Sequence, residues 1–122
     1  MGQPLWGKKI LIVEDNLLVA EDLRELVRGA GGLVKRMCAS RKDALAALTK
    51  EKFDGALLDV QLQDGTCVEV ARHLPNKNIP FIVVTGYAHD WLASELQRAP
   101  YIEKPFEAAE LTAIAARHFA HG

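Results

Sequence analysis

Short apolar runs alternate along this chain with stretches in which apolar residues recur every three or four positions. Ile10-Leu11-Ile12-Val13 is β-branched and continuous, the pattern of a strand buried on both faces, and it stops at Glu14-Asp15-Asn16. Asn16 is a helix N-cap in type, and Ala20, Leu23, Val27 and Ala30 follow at helical spacing until Gly31-Gly32. Leu33 to Cys38 is a weaker strand mixed with Lys35 and Arg36, expected nearer a sheet edge. Ser40 caps a second helix carrying Ala44, Ala47 and Leu48. Phe53 to Val60 reads as a buried strand around Gly55-Ala56-Leu57-Leu58-Asp59, and Asp64-Gly65 as a turn. A third helix runs through Val68, Ala71 and Leu74 and closes at Pro75; Pro80 to Val84 is the fourth strand, ending at Thr85-Gly86. Asp90 to Arg98 fits a short helix, Tyr101-Ile102 a short fifth strand, and Glu107 to Phe119 a last helix with Leu111, Ile114 and Ala115 on one face.

A βα unit repeated five times predicts an α/β fold: a doubly wound, five-stranded parallel sheet flanked by helices, strand order 2-1-3-4-5, with a short fourth helix. Residues 1–7 read as a tail and 8–120 as one domain. The length of 122 residues agrees with a single domain that folds without disulfide or metal. A net charge of -1 excludes a broad electrostatic grip on nucleic acid. No apolar run approaches the roughly 20 residues of a membrane helix, and Met1 to Trp6 lacks the marks of a signal peptide. Cys38 and Cys67, outside any metal-ligand spacing, read as reduced small apolar residues, which suits a cytoplasmic protein.

In a doubly wound sheet ligands bind beyond the carboxyl ends of the strands. The first strand here ends in Glu14-Asp15, the third in Asp59 and the fourth in Thr85; the fifth is followed by Lys104-Pro105. Clustered carboxylates repel one another and need a cation. Oxygen ligands of this kind suit Mg2+, which keeps waters and binds phosphate oxygens. A lysine and a hydroxyl beside them point to phosphoryl chemistry with a carboxylate as nucleophile. Taken singly, each residue is an ordinary cap, turn or strand residue; their coincidence at strand ends carries the reading.

In these residues the chain resembles the receiver domains of bacterial two-component response regulators. The likeness spans Lys8 to Phe119 and rests on Glu14-Asp15, Leu57-Leu58-Asp59, Thr85-Gly86, Tyr101 and Lys104-Pro105-Phe106. It implies the flavodoxin-like fold, with Asp59 as acceptor of a phosphoryl group from a histidine kinase or phosphotransfer protein. It further implies Mg2+ held by Asp15, Asp59 and the backbone carbonyl of Gln61, with Glu14 acting through water. Lys104 would pair with the phosphoryl group, Thr85 would move to bond it, and Tyr101 would report the movement by its rotamer. The Lys104-Pro105 bond is often cis in such domains, which would aim the lysine inward.

Three departures stand out. The Gln61 to Gly65 loop is shorter than usual and lacks its Pro, and the segment from Thr85 to Lys104 is also short. Pro80 to Tyr87 is similar to the FATGUY group of receivers, found chiefly in alphaproteobacteria and often standing alone, although Val83-Val84 replaces Phe-Ala. Tyr87 and Gln61 occupy positions that tune phosphate loss in such domains. With three residues after Phe119, the expectation is a stand-alone cytoplasmic receiver that acts on a downstream protein or drains phosphate from a kinase. Contacts are expected through the fourth helix, fifth strand and fifth helix. It would have no nucleic-acid or membrane partner, and a homodimer is compatible. It would not be an enzyme beyond its own phosphotransfer and dephosphorylation. The competing readings are a Mg2+-dependent phosphatase with an Asp nucleophile, a binding module that keeps only the fold, and a receiver excised from a hybrid kinase. His73, His89, His118 and His121 read as solvated or packing residues, as do Trp6 and Trp91, with an exposed apolar patch as the alternative for the tryptophans. Arg24, Arg28, Lys35 and Arg36 read as solvated surface.

Overall fold

The computed structural model describes residues 3–86 and 92–119. Its elements are β1 (Lys9–Val13), α1 (Leu17–Gly29), β2 (Leu33–Cys38), α2 (Arg41–Lys50), β3 (Gly55–Asp59), β4 (Gln61–Leu62), β5 (Gly65–Thr66), α3 (Val68–His73), β6 (Phe81–Thr85), α4 (Ser94–Gln97), β7 (Tyr101–Glu103) and α5 (Ala108–Phe119). The main sheet is parallel, in the order β2-β1-β3-β6-β7. Numbering only its own strands, that is the expected 2-1-3-4-5, with β2 at an edge.

The alternation of side chains along each strand divides the core into two layers. Leu11, Val13, Ala56, Leu58 and Val83 face α2, α3 and α4. Ile10, Ile12, Leu57, Ile82 and Val84 face α1 and α5. Between their ends the central strands are apolar at successive positions because both faces are covered.

Helix starts follow their caps. Asn16 Oδ1 accepts from the backbone N–H of Leu18 (3.0 Å) and Val19 (3.3 Å), and Ser40 Oγ accepts from Asp43 N–H (3.1 Å). Gly31, just past α1, takes φ +91°, the left-handed conformation that ends a helix cheaply only in glycine. Gly55 opens β3 because the Phe119 ring lies flat on it; a Cβ there would stand 2.9 Å from the ring.

Several expectations shift. Leu5, in the segment read as a tail, is buried in the α1/α5 layer, and its N–H donates to Ala30 O at 2.8 Å. Gln61 to Gly65, read as a loop with its turn at Asp64-Gly65, belongs to a two-stranded antiparallel hairpin that pairs Gln61 with Thr66 and Leu62 with Gly65. The turn falls on Gln63-Asp64, and Gly65 starts the return strand at φ +138°. The third helix ends at His73, and Pro75 begins a separate 3-10 turn, Pro75–Lys77, because proline tolerates the first position of a helix but not its interior. The fourth helix is short as expected, four residues within the described part. Trp6, read as a packing residue, is instead 76% exposed. Tyr87, His89, Trp91 and His121 lie outside the described residues.

Candidate functional site

Strand register fixes the site. Val13 pairs with Leu58, so the residues after them, Glu14 and Asp59, stand side by side at the carboxyl rim. Asp59 pairs with Val84, so Thr85 comes one residue further along the neighbouring strand. Thr85 pairs with Glu103, and Lys104 N–H donates to Thr85 O at 2.8 Å, which brings the lysine to the same rim. Four sequence segments therefore converge because four parallel strands end level with one another.

The convergence is chemical as well as topological. Carboxylate oxygens of Glu14, Asp15 and Asp59 all lie within 4.8 Å of one another, close enough to share one cation. Lys104 Nζ lies 2.9 Å from Glu14 Oε1 and 3.5 Å from Asp59 Oδ1. Glu14 and Asp59 are buried, at 3% and 7% exposure, and Thr85 is fully buried; Asp15 is exposed. Two acids beneath an open third one form a half-sunken cup with a lysine on one side. Gly86, beside Thr85, has open space where a side chain would be.

The electrostatics follow from that burial. Asp59 is pushed up from 3.8 to about 7, first by desolvation, then by the hydrogen bond and like charge of Glu14, with Asp15 adding to it. Lys104 pulls the other way and is outweighed, since it sits closer to Glu14 than to Asp59. Three oxygen donors with excess negative charge fit Mg2+, which takes one or two carboxylates and keeps open positions for water or phosphate. The thiols nearby are inert: burial pushes Cys67 up to about 12, with the Asp59 charge adding, and Cys38 up to about 11. Both are free cysteines.

The hairpin after Asp59 is braced in a way the sequence reading missed. Asp64 at its turn accepts from Arg41 N–H at 2.6 Å and Lys42 N–H at 3.0 Å, closing the start of α2. These backbone donors hold its carboxyl below the usual range. Arg41 Nη1 also reaches Glu69 Oε1 at 3.0 Å, tying α2 to α3 across the hairpin. The signal in the sequence was a second Asp five residues after the first, which reads equally well as a plain turn residue.

Gln61 is exposed in β4, two residues beyond Asp59. Tyr101 begins β7, half-buried against the α2/α3/α4 layer, and pairs with Val83. The Lys104-Pro105 peptide bond is cis. His73 and His118 stand near the carboxyl ends of α3 and α5, at the opposite end of the sheet from the carboxylates. No helix among the described residues is long and apolar enough to cross a membrane.

Comparison with known proteins agrees with this geometry. The family model of the response regulator receiver domain matches residues 10–116. Among curated proteins, the phyllosphere-induced regulator PhyR of Methylorubrum extorquens is 34% identical over 110 residues, 87% of this chain. The chain spans only 41% of that relative's length. Among solved structures, a CheY-like receiver domain from Methylobacillus flagellatus superposes with a TM-score of 0.79 at 28% identity, over 91% of this chain and 98% of that one. The receiver domain of the sensor histidine kinase PA1611 from Pseudomonas aeruginosa, described with magnesium coordinated in its active-site cleft, gives a TM-score of 0.81 at 25% identity, over 95% and 99%. Fold, acidic cup and family match agree, and the chain belongs to the receiver domains of response regulators.

Proposed function

We propose that this chain is a phosphoacceptor switch in which Asp59 takes a phosphoryl group from the phosphohistidine of a histidine kinase or phosphotransfer protein. The observation that carries the reading is the buried Asp59 flanked by Glu14, Asp15 and Lys104 at one strand-end rim. An ionised carboxylate oxygen of Asp59 attacks phosphorus; the P–N bond to the donor imidazole breaks as the P–O bond forms, its electron pair goes to the ring nitrogen, and the ring, already protonated on its other nitrogen, leaves as neutral imidazole. Asp15, Asp59 and the Gln61 carbonyl would hold Mg2+, with Glu14 acting through water. When bound, that ion supplies the positive charge that keeps the carboxylates ionised and neutralises phosphoryl oxygens. Lys104, already within 3.5 Å of Asp59, is placed to exchange a carboxylate for a phosphoryl oxygen.

The product carries about -1.5 to -2 charge and new acceptor oxygens. Thr85, next to the acceptor on the neighbouring strand, is the donor that would turn toward them. Tyr101, two residues before Glu103 on the strand that pairs with Thr85, would follow and carry the change to the outer face. Tyr87 and Gln61 would set how fast water removes the phosphoryl group. The segment Pro80 to Tyr87 supports a receiver of the FATGUY type, acting in the cytoplasm on a separate protein partner.

The phosphatase reading is disfavoured by Gln61, since such enzymes usually place a second acid two residues after the nucleophile. Incubation with Mg2+ and a small phosphodonor such as acetyl phosphate tests the assignment. Intact-mass measurement should show one phosphoryl group per chain, lost in Asp59→Asn and on chelation of Mg2+. Label surviving in Asp59→Asn overturns the acceptor, and many turnovers of a free phosphate ester overturn the switch in favour of the phosphatase.

A further inference from the structure

A large groove among the described residues does not open onto the carboxylates. It measures about 900 Å³ and runs along β2, the outer strand of the sheet, with α1 on one side. Two of the four large apolar side chains that stand most exposed, Trp6 (76%) and Leu33 (55%), line it together. The charged residues that line it are Arg24, Arg28, Lys35 and Arg36, with no carboxylate among them. In a chain of net charge -1 this is a local reversal of sign.

We propose that this groove binds an acidic, extended peptide segment of a partner protein, seated by one apolar side chain between Trp6 and Leu33. Three observations converge. First, β2 pairs only with β1, so one edge of its backbone is available for an added strand. Second, an exposed tryptophan beside a leucine gives an apolar anchor point of the kind that concentrates binding energy. Third, Arg24 and Arg28, the two cations on α1, are held only by exposed pairs, which exchange partners at little cost, whereas Arg36 is bound to the half-buried Glu51 and Lys35 Nζ donates to Lys52 O at 3.1 Å. Arg24 lies 3.8 Å from Glu21, Arg28 lies 3.3 Å from Glu25, and Arg36 bonds Glu51 at 2.7 Å.

A second copy of the chain is the poorer occupant. Two β2 edges related by a two-fold axis would set the same four cations against each other. A nucleic-acid duplex would use the cations but neither the Trp6–Leu33 pair nor the open backbone edge, and a single strand would leave that edge unused.

The test is selection of a displayed library of random nine-residue peptides on the full chain, with counter-selection on the Arg24→Glu/Arg28→Glu variant. Enriched peptides should carry several Asp or Glu residues around one aromatic or aliphatic residue. The best, made synthetically and followed by fluorescence anisotropy, should lose at least tenfold in affinity with Trp6→Ser and with the double Arg variant. Its affinity should also fall with added salt, and with methylation of alternate peptide amides. Amide shifts on binding should cluster in residues 31–37. Trp6 and the two arginines belong neither to the Glu14–Asp15–Asp59 cup nor to the core, so unchanged Mg2+ affinity in the variants shows that they are folded. Neutral or basic winners, binding indifferent to these variants, an empty selection, or a single-stranded oligonucleotide binding more tightly than the peptide would each overturn the proposal.

Discussion

At Asp59, burial and a carboxylate neighbour work against a lysine, and they win. The folded state prefers the protonated acid: its pKa stands near 7 against 3.8. Between those values the folded protein holds more proton than the unfolded chain, so metal-free stability falls as pH rises through this window. Asp59→Asn removes the buried charge. It should therefore raise the melting temperature of the Mg2+-free protein at pH 8 and leave it nearly unchanged at pH 4. Full conversion of the shift would be about 4 kcal/mol, and water at the open rim reduces the gain to on the order of 1–2 kcal/mol. Thermal melts across pH check this; a variant less stable than the parent at pH 8 would contradict it. Glu14, Asp15, Asp59, Thr85 and Lys104 could be picked out as candidates from the sequence because each lies at or within two residues of the end of an apolar run. Their pairing could not: Lys104 and Glu14 lie 90 positions apart, and only the fold places them at 2.9 Å.

Between elements, two contacts decide how the site is held. The Asp64 carboxylate binds two backbone donors of α2 and so fixes the hairpin that carries Gln61. Asp64→Ala should lower the melting temperature and weaken Mg2+ binding together, whereas Asp64→Asn, which keeps an acceptor oxygen, should retain part of both; titration calorimetry alongside melts separates them. At the other end of β3, the Phe119 ring occupies the space of a Gly55 side chain. Gly55→Ala should cost about 1–3 kcal/mol by overpacking. Trimming the ring with Phe119→Leu in the same chain should recover part of that loss, a coupling readable from a double-mutant denaturation cycle. Long periodic elements such as α1 and α5 were legible in sequence, since their apolar spacing repeats over several turns. The hairpin at 61–66 was not, since strands of two residues have no period. Leu5 was missed for a related reason: an aliphatic residue in a short stretch with Gln3, Pro4, Trp6 and Gly7 carries no period.

For the whole molecule, cation binding and folding are linked through the cup. The assembled carboxylates offer a cation site that the unfolded chain does not hold together. At a hundred times its dissociation constant Mg2+ should stabilise the fold by about 2.7 kcal/mol. The gain should vanish with chelator and in Asp15→Asn, and should be larger at pH 8 than at pH 5, because protonated Asp59 must release its proton to bind. Differential scanning calorimetry with and without Mg2+ measures both. The same molecule carries a face of opposite sign on β2, on the far side of β1 from Asp59. The acidic cup and the basic groove thus sit at different places on one sheet, a separation that net charge alone conceals.

Alternation of apolar runs with helical spacing was enough to determine a doubly wound parallel sheet, since each strand buried on both faces must be a continuous apolar run. It also determined which residues end those strands. Tertiary structure alone decided how they meet. Level strand ends bring Glu14, Asp15 and Asp59 within reach of one cation, and packing buries two of them while leaving Asp15 open. Lys104 was thereby assigned to Glu14 before Asp59. Trp6 and Leu33 were likewise gathered into one groove by the edge position of β2. The physical reason is the same in each case: residue type and period are local properties, whereas desolvation, charge pairing and exposure depend on neighbours that the chain brings together only when folded.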